Sequence, residues 1–563
     1  MKIEPFIQEW FLQPNRVDDL LGIRRGIERE CLRVSKAGRI AQTPHPKALG
    51  ATLCHPSITT DFSEALLEFI TKPHTTIEDC LTELESLHIF TQHNLNNEEY
   101  LWPYSMPPYI QDADEIPIAD YGNSPVGRMK QVYRRGLDVR YGKHMQTIAG
   151  IHYNISFPNT FFASLQKLML DQADQATSAN HNLREFKDLM YFKLVRNFLK
   201  NGWFLVLTQG KSNQCDPSFI RQAQLQEATA ESLGLETINH QMPAPVVNLN
   251  NEIVQKNESL VANNGTSLRM GTIGYHNTAQ AGLFICYDQL KSYVHTINNA
   301  LNTPNQTYDE IGLWNDRNQR QQITTNVIQF ENEFYGSIRP KQTTQLLERP
   351  SLALERRGVE YIEVRNLDIN AKEDIGISEH TAATTEIFVI ACLLAESPFL
   401  SIEDYDAIST KNEQVSLQGN NPQEPFLNEA IQMWQPLQWI ARQLDKAYKT
   451  SLYSEAWQDT LDQLKDISSQ APVSRNTAAQ KRPSFWDQGK ILGRAHQIYS
   501  LQQNLSSKVQ SELEAASEAS LNDLSKMNDC TNEELQTHID RYFKGMPALS
   551  SEVICQAIQP GNS

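Results

Sequence analysis

Three segments far apart in the chain alternate in character at a period of two, and no other feature constrains the fold as much. In GIHYNISF (150–157), Ile151, Tyr153, Ile155 and Phe157 point one way while His152, Asn154 and Ser156 point the other. GIERECLRV (26–34) sets Glu28 and Glu30 two apart with Arg29 between them, and VEYIEVRNLDIN (359–370) does the same with Glu363 and Arg365. Successive side chains of a strand project to opposite faces, so each segment carries its chemistry on one face. Glu28 and Glu30 repel each other unless a cation faces them or water solvates them. Flanking Ile27, Leu32 and Val34 argue for partial burial, and for the pair alone both readings stay open.

Between the strands the pattern turns helical. IEDCLTELESLHIFTQHNL (77–95) and EHTAATTEIFVIACLLAES (379–397) have helical spacing, and TTDFSEALLEFIT (59–71) also reads as an amphipathic helix. ITTNVIQFENEFYGSIRPK (323–341) alternates like a strand, and WFLVL (203–207) is too short and uniform to classify. Residues 101–127, rich in Pro, Gly and Tyr, read as a functional loop, and residues 213–268 as a polar surface insertion. Strands interleaved with helices give an α+β architecture on a largely antiparallel sheet with one exposed functional face. The organisation expected is a single domain over 1–563, with a sheet-containing part at about 15–375 and a helical part at about 376–563.

Composition narrows the partners. A formal net charge of -17 argues against nucleic acid or an anionic membrane as the main ligand. The eight cysteines form no CxxC pair, so neither a thiolate zinc site nor a disulfide scaffold is indicated. The first residues carry early acids and no apolar core of a signal peptide, and no apolar run reaches the ~18 residues that span a bilayer. The expectation is a cytoplasmic protein with reduced thiols and no membrane partner.

Glu28, Glu30, Asp61, Glu68, His152, Glu363 and Arg365 are the chemically suited candidates. If 59–71 is helical, Asp61 and Glu68 share a face about 10 Å apart along its axis. Each candidate also has a plainer reading. Asp61 with Glu64 resembles a capping box, Glu68 an exposed helix position, His152 a hydrogen-bonded strand histidine, and Glu363 with Arg365 a cross-strand pair. Taken together, several carboxylates with one imidazole suit Mg²⁺ or Mn²⁺, and carboxylate-fed Mg²⁺ sites usually also hold substrate phosphates. TQGKSN (208–213) carries the GKS of a Walker loop, but the glycine that loop needs at 205 is Leu, so the match is coincidental. The residues by themselves reach a metal-dependent, phosphate-handling enzyme.

GIERE, TTDFSEALLEFIT, WPYSMP, GRMKQVYRRGL, YGKHMQTIAGIHYN, TSLRMGTIGY, ENEFYGSIRPK and GVEYIEVRNLDIN, in that order across residues 26–370, resemble glutamate–cysteine ligase of the proteobacterial type. The resemblance implies a glutamine-synthetase-like curved, mostly antiparallel sheet forming a funnel, surrounded by helices, with a helical C-terminal region. It implies ATP-dependent joining of the L-glutamate γ-carboxyl to the L-cysteine amine, in a protein acting as a monomer. Three divalent ions are implied at Glu28, Glu30, Asp61, Glu68, His152 and Glu363. Glu363 and Arg365 are assigned to catalysis, with Arg365 on the transferring phosphoryl group. Arg269 is assigned to a substrate carboxylate, and Phe62, Tyr133, Arg134, Tyr275 and Tyr335 to a cysteine pocket. TQGKSN departs from the Gly-Ala-Ser-Pro-like stretch of the family. A related ligase with another acceptor, and a silent metal-binding relative, stay open as alternatives.

Overall fold

The computed structural model describes residues 1–96, 98–172, 182–222, 235–239, 258–274, 283–345, 348–469, 488–501 and 504–545. Its centre is an open sheet in the spatial order β2 (Ile58–Thr60), β3 (Leu66–Ile70), β1 (Arg24–Ser35), β5 (Ile151–Ser156), β10 (Tyr361–Leu367) and β9 (Ile338–Lys341). A seventh strand, β4 (Glu99–Leu101), pairs with the far end of β1. All of these pairings are antiparallel. A second sheet of three strands, β6 (Gln214–Cys215), β8 (Glu258–Val261) and β7 (Glu236–Asn239), lies within the stretch read as an insertion.

The alternating segments become β1, β5 and β10 as their periodicity requires. Arg25, Arg29 and Arg33 of β1 point away from the face that bears Glu28 and Glu30, and all three are buried. Arg25 reaches Glu386 and Arg33 reaches Glu99, so the reverse face binds its charges in ion pairs at two of the three positions. The helix Ile77–Asn94 packs on β1 and β3 from that side. Its start is fixed by Thr76, whose hydroxyl accepts from the Asp79 N–H, with Glu78 and Asp79 favourably placed in the first turn. The helix Glu379–Leu394 is buried at every position from Ala382 onward, as a helix apolar all round must be. A core of buried apolar residues runs continuously from Ile7 to Tyr542.

Three sequence expectations are corrected. Residues 59–71 are not a helix but the β2–β3 hairpin. β3 is buried on both faces, so it lacks the polar–apolar alternation that marks a half-buried strand and imitates a helical spacing. Glu64 caps nothing, because its carboxylate accepts the backbone N–H groups of His45 and Asp120. Of residues 323–341 only Ile338–Lys341 are strand. Upstream, buried Gln322 and Glu333 accept from Arg140, Glu333 also accepts the Gln329 N–H, and the Gln329 side chain accepts the Ile323 N–H, so side chains replace a ladder there. WFLVL opens the helix Trp203–Gln209.

Candidate active site

Directly opposed residues of an antiparallel pair share a face, so the register determines which side chains meet. Glu30 stands opposite Glu68, Glu28 opposite His152, Asn154 opposite Glu363, and Glu363 opposite Arg339. One face of five adjacent strands thus collects the acids, the imidazole and a row of cations. His152 Nδ1 lies 3.3 Å from Glu28 Oε2 and 3.4 Å from Glu363 Oε1, and its Nε2 is 3.8 Å from Glu30 Oε1. Glu28, His152 and Glu363 are buried and offer ligand atoms that all lie within 4.8 Å of one another. Lys341 Nζ is 2.8 Å from Glu363 Oε2, and the Arg365 guanidinium pairs with Glu363 Oε1.

Electrostatics divides these groups. Burial, reinforced by the Asp61 charge, pushes the Glu30 carboxyl up to about 8 against the pull of Arg269 and Arg365. Burial would raise Glu363 too, yet Lys341 and Arg365 outweigh it and hold that carboxyl well below its usual range. Burial, helped by Arg365, lowers His152 to about 4, which leaves a neutral imidazole with a lone pair to give. Carboxylates crowded around one neutral imidazole, with a buried Asn154 Oδ1 lacking a hydrogen-bond partner beside them, fit a hard divalent cation.

A pocket opens beside this cluster. Glu30, Asp61, Arg134, His152 and Arg365 are among its polar lining, and Phe62, Tyr133, Leu137, Ile148 and Tyr335 supply its apolar and aromatic lining. Tyr133, Arg134 and Leu137 come from the helix Pro125–Tyr141, whose start is set by Ser124 accepting from the Gly127 N–H and by Pro125 in the first turn. Arg134 Nε donates to the Asp61 carbonyl at 2.5 Å, and Tyr121 Oη donates to the same carbonyl at 3.1 Å. Tyr335 Oη hydrogen-bonds the Gln146 amide at 3.1 Å.

Eight of the sequence-derived candidates therefore line one pocket: Glu30, Asp61, Phe62, Tyr133, Arg134, His152, Tyr335 and Arg365. Glu28 and Glu363 adjoin it through His152, and Glu68 through Glu30. Arg269 lies deeper, with Nη2 donating to the Arg365 carbonyl at 2.8 Å and Nη1 3.7 Å from Asp368 Oδ1. Tyr275 lies outside the described residues. The backbone N–H groups of Lys211 and Ser212, in TQGKSN, both donate to Asp368 Oδ2, so a protein carboxylate takes the place a phosphate holds in a Walker loop.

Sequence reading missed Gln146, Asn332, Arg339 and Lys341. The parity of RPK (339–341) could have placed Arg339 and Lys341 on one strand face, whereas Gln146 and Asn332 sit in single-turn 3₁₀ helices, Met145–Thr147 and Glu331–Glu333, too short to carry a periodic signal.

An antiparallel sheet presents a buried carboxylate–imidazole cluster that could hold a metal ion, and convergent guanidinium groups, to a pocket with aromatic lining, the arrangement of an enzyme that acts on small molecules. Residues 9–415 match the family model described as glutamate-cysteine ligase. The glutamate–cysteine ligase of Alcanivorax borkumensis is 41% identical over 450 residues, which cover 78% of this chain and 79% of that one. That of Hahella chejuensis is 36% identical over 539 residues, covering 93% and 96%. The crystal structure of glutamate–cysteine ligase from Francisella tularensis in complex with AMP superposes with a TM-score of 0.75 at 32% identity, covering 93% of this chain and 98% of that one. The chain belongs to the glutamate–cysteine ligase family.

Proposed function

We propose that this protein joins the γ-carboxyl of L-glutamate to the amine of L-cysteine at the expense of ATP, through a γ-glutamyl phosphate. The observation that carries the reading is the contiguity of the acid–imidazole cluster with a small pocket lined by aromatic side chains and by the guanidinium groups of Arg134, Arg339 and Arg365. The membership of the family and the AMP bound to the Francisella relative support the nucleotide. Glu28, Glu30, Asp61, Glu68, His152 and Glu363 would hold Mg²⁺ or Mn²⁺, with three ions as the expected number. Held there, such ions would supply positive charge to offset that of the phosphate oxygens.

The protein's own groups do the rest. The glutamate γ-carboxylate oxygen attacks the γ-phosphorus, ADP leaves, and the Arg365 guanidinium stabilises charge on the transferring group. The cysteine amine then attacks the acyl carbon, and phosphate departs as the amide forms. Phe62, Tyr133 and Tyr335 enclose the small thiol side chain and exclude water that would hydrolyse the acyl phosphate. Arg134 and Tyr335 offer donors to the cysteine carboxylate.

Purified protein with ATP, Mg²⁺ and glutamate should release ADP when either cysteine or 2-aminobutyrate is added, because the amine and not the thiol is the nucleophile. ADP release that ignores both acceptors would refute the assignment. Among the described residues no helix is long and apolar enough to cross a membrane. Cys31, Cys54, Cys80, Cys215 and Cys392 are buried thiols outside any disulfide, which supports a cytoplasmic enzyme.

A further inference from the structure

Asn154 stands on the working face of β5, two residues beyond His152 and opposite Glu363 across the β5–β10 pair. Its amide has one permitted sense. Nδ2 donates to Glu28 Oε1 at 2.9 Å, and an ionised carboxylate can only accept, so the nitrogen is the atom that faces Glu28. Oδ1 is then turned away from Glu28, buried and without a hydrogen-bond partner. Leaving a buried acceptor unsatisfied costs about 1–3 kcal/mol, a cost that a strand face has no reason to retain unless something positive is brought to it. The neighbouring cations are committed elsewhere: Lys341 to Glu363 Oε2 and Arg365 to Glu363 Oε1. An amide oxygen is also the donor type that hard divalent ions accept alongside carboxylates.

We propose that Asn154 is a positioning residue of the divalent-cation site: Nδ2 fixes the plane of the Glu28 carboxylate, and Oδ1 supplies one more oxygen, directly or through a cation-bound water. The inference rests on Glu28, His152 and Glu363 being cation ligands. It explains why an amide, and not a second apolar residue, stands in register with Glu363. Because Glu28 Oε1 is held by the amide, Glu28 Oε2 is left turned to His152 Nδ1, which is the orientation that closes the ring with Glu363. Outer partners that orient a ligand in this way are worth about 10–100-fold in metal affinity.

Mn²⁺ binding to the metal-free protein, followed by the electron paramagnetic resonance of the free ion, tests this without reference to turnover. Asn154→Leu should weaken the binding by about 10-fold or more. Asn154→Asp keeps an oxygen at the same place and adds a charge but gives up the donor to Glu28, so it should bind more tightly than Asn154→Leu. Circular dichroism of the metal-free variants checks the fold, and Asn154→Ala replaces Asn154→Leu if the larger side chain prevents folding. Unchanged affinity in Asn154→Leu or Asn154→Ala, while Glu28→Gln weakens binding, overturns the role of Asn154 alone. Binding by Asn154→Asp as weak as by the apolar variant overturns the placement of Oδ1. Absence of any Mn²⁺ binding that Glu28→Gln weakens overturns the cation site and this role with it.

Discussion

Replacing Glu386 probes how the sheet holds its working face in position. Behind Glu28 on β1, Arg25 is buried, with Nε 2.6 Å from Glu386 Oε1 and Nη2 3.1 Å from Oε2. Tyr153 Oη donates to Oε1 at 2.7 Å and Tyr453 Oη to Oε2 at 2.8 Å, so one carboxylate ties β1, β5 and the helix Leu452–Ser469 together. Burial acts to neutralise Arg25, and the Glu386 charge outweighs it and keeps the guanidinium ionised. Glu386→Ala removes the partner and leaves that charge buried away from the protein surface, which costs about 3–5 kcal/mol. Two tyrosine hydroxyls lose their acceptor as well, each adding to the loss unless it turns to another partner. Arg25→Met combined with Glu386→Leu removes both charges and should recover most of the stability, since buried ion pairs roughly break even against apolar isosteres. Urea unfolding followed by tryptophan fluorescence should show a large fall in midpoint for the single change and a much smaller one for the pair. A Glu386→Ala midpoint equal to wild type, or a double variant no better than the single, would refute the reasoning.

Glu28→Gln should weaken Mn²⁺ binding by at least about 10-fold and abolish most turnover while leaving circular dichroism unchanged; retained Mn²⁺ affinity counts against a ligand role. Burial lowers His55 to about 4, while His55 Nδ1 accepts the N–H groups of Ser57 and Ile58. The unfolded chain protonates His55 first, so stability is full above about pH 6.5 and declines towards pH 4. His55→Asn keeps an acceptor and removes one titration, and should lessen the slope of thermal stability across that window, to which His152 also contributes; an unchanged slope would exclude His55 as a source of it. Arg134→Lys should raise the KM for the acceptor amino acid more than it lowers kcat, because the planar fork that spans the Asp61 carbonyl and a carboxylate is lost. Equal effects with cysteine and with glutamate concentration would place Arg134 outside the acceptor pocket.

Much of the site was legible because strand parity is a local property. Glu28 with Glu30, His152 with Asn154, and Glu363 with Arg365 could each be set on one strand face from neighbouring residues alone. Asp61 and Glu68 were right as members of the acidic group and wrong in their element. Leu66–Ile70 is buried on both sides, and a strand buried on both sides carries no alternation to read. Residues 323–337 failed in the opposite sense: they alternate, yet Glu333 bonding to Arg140 and the Gln329 N–H builds an irregular wall for the pocket. Arg269 illustrates a third limit, since no spacing shows that its guanidinium turns to the Arg365 carbonyl and Asp368.

By itself, then, the sequence determined the polar faces of β1, β5 and β10, the exclusion of nucleotide-loop chemistry and the family, because each depends on residue types and short spacings. Only the tertiary structure decided that β5 lies between β1 and β10, and that Glu28 meets His152, Glu30 meets Glu68, and Asn154 meets Glu363. Those pairings join segments far apart in the chain, and a shift of one residue in any of them would send the acids to the opposite face. Register is fixed by the packing of whole faces, Arg25 on Glu386 behind the sheet and the aromatic wall in front of it, and that packing exists only once the chain has closed around them.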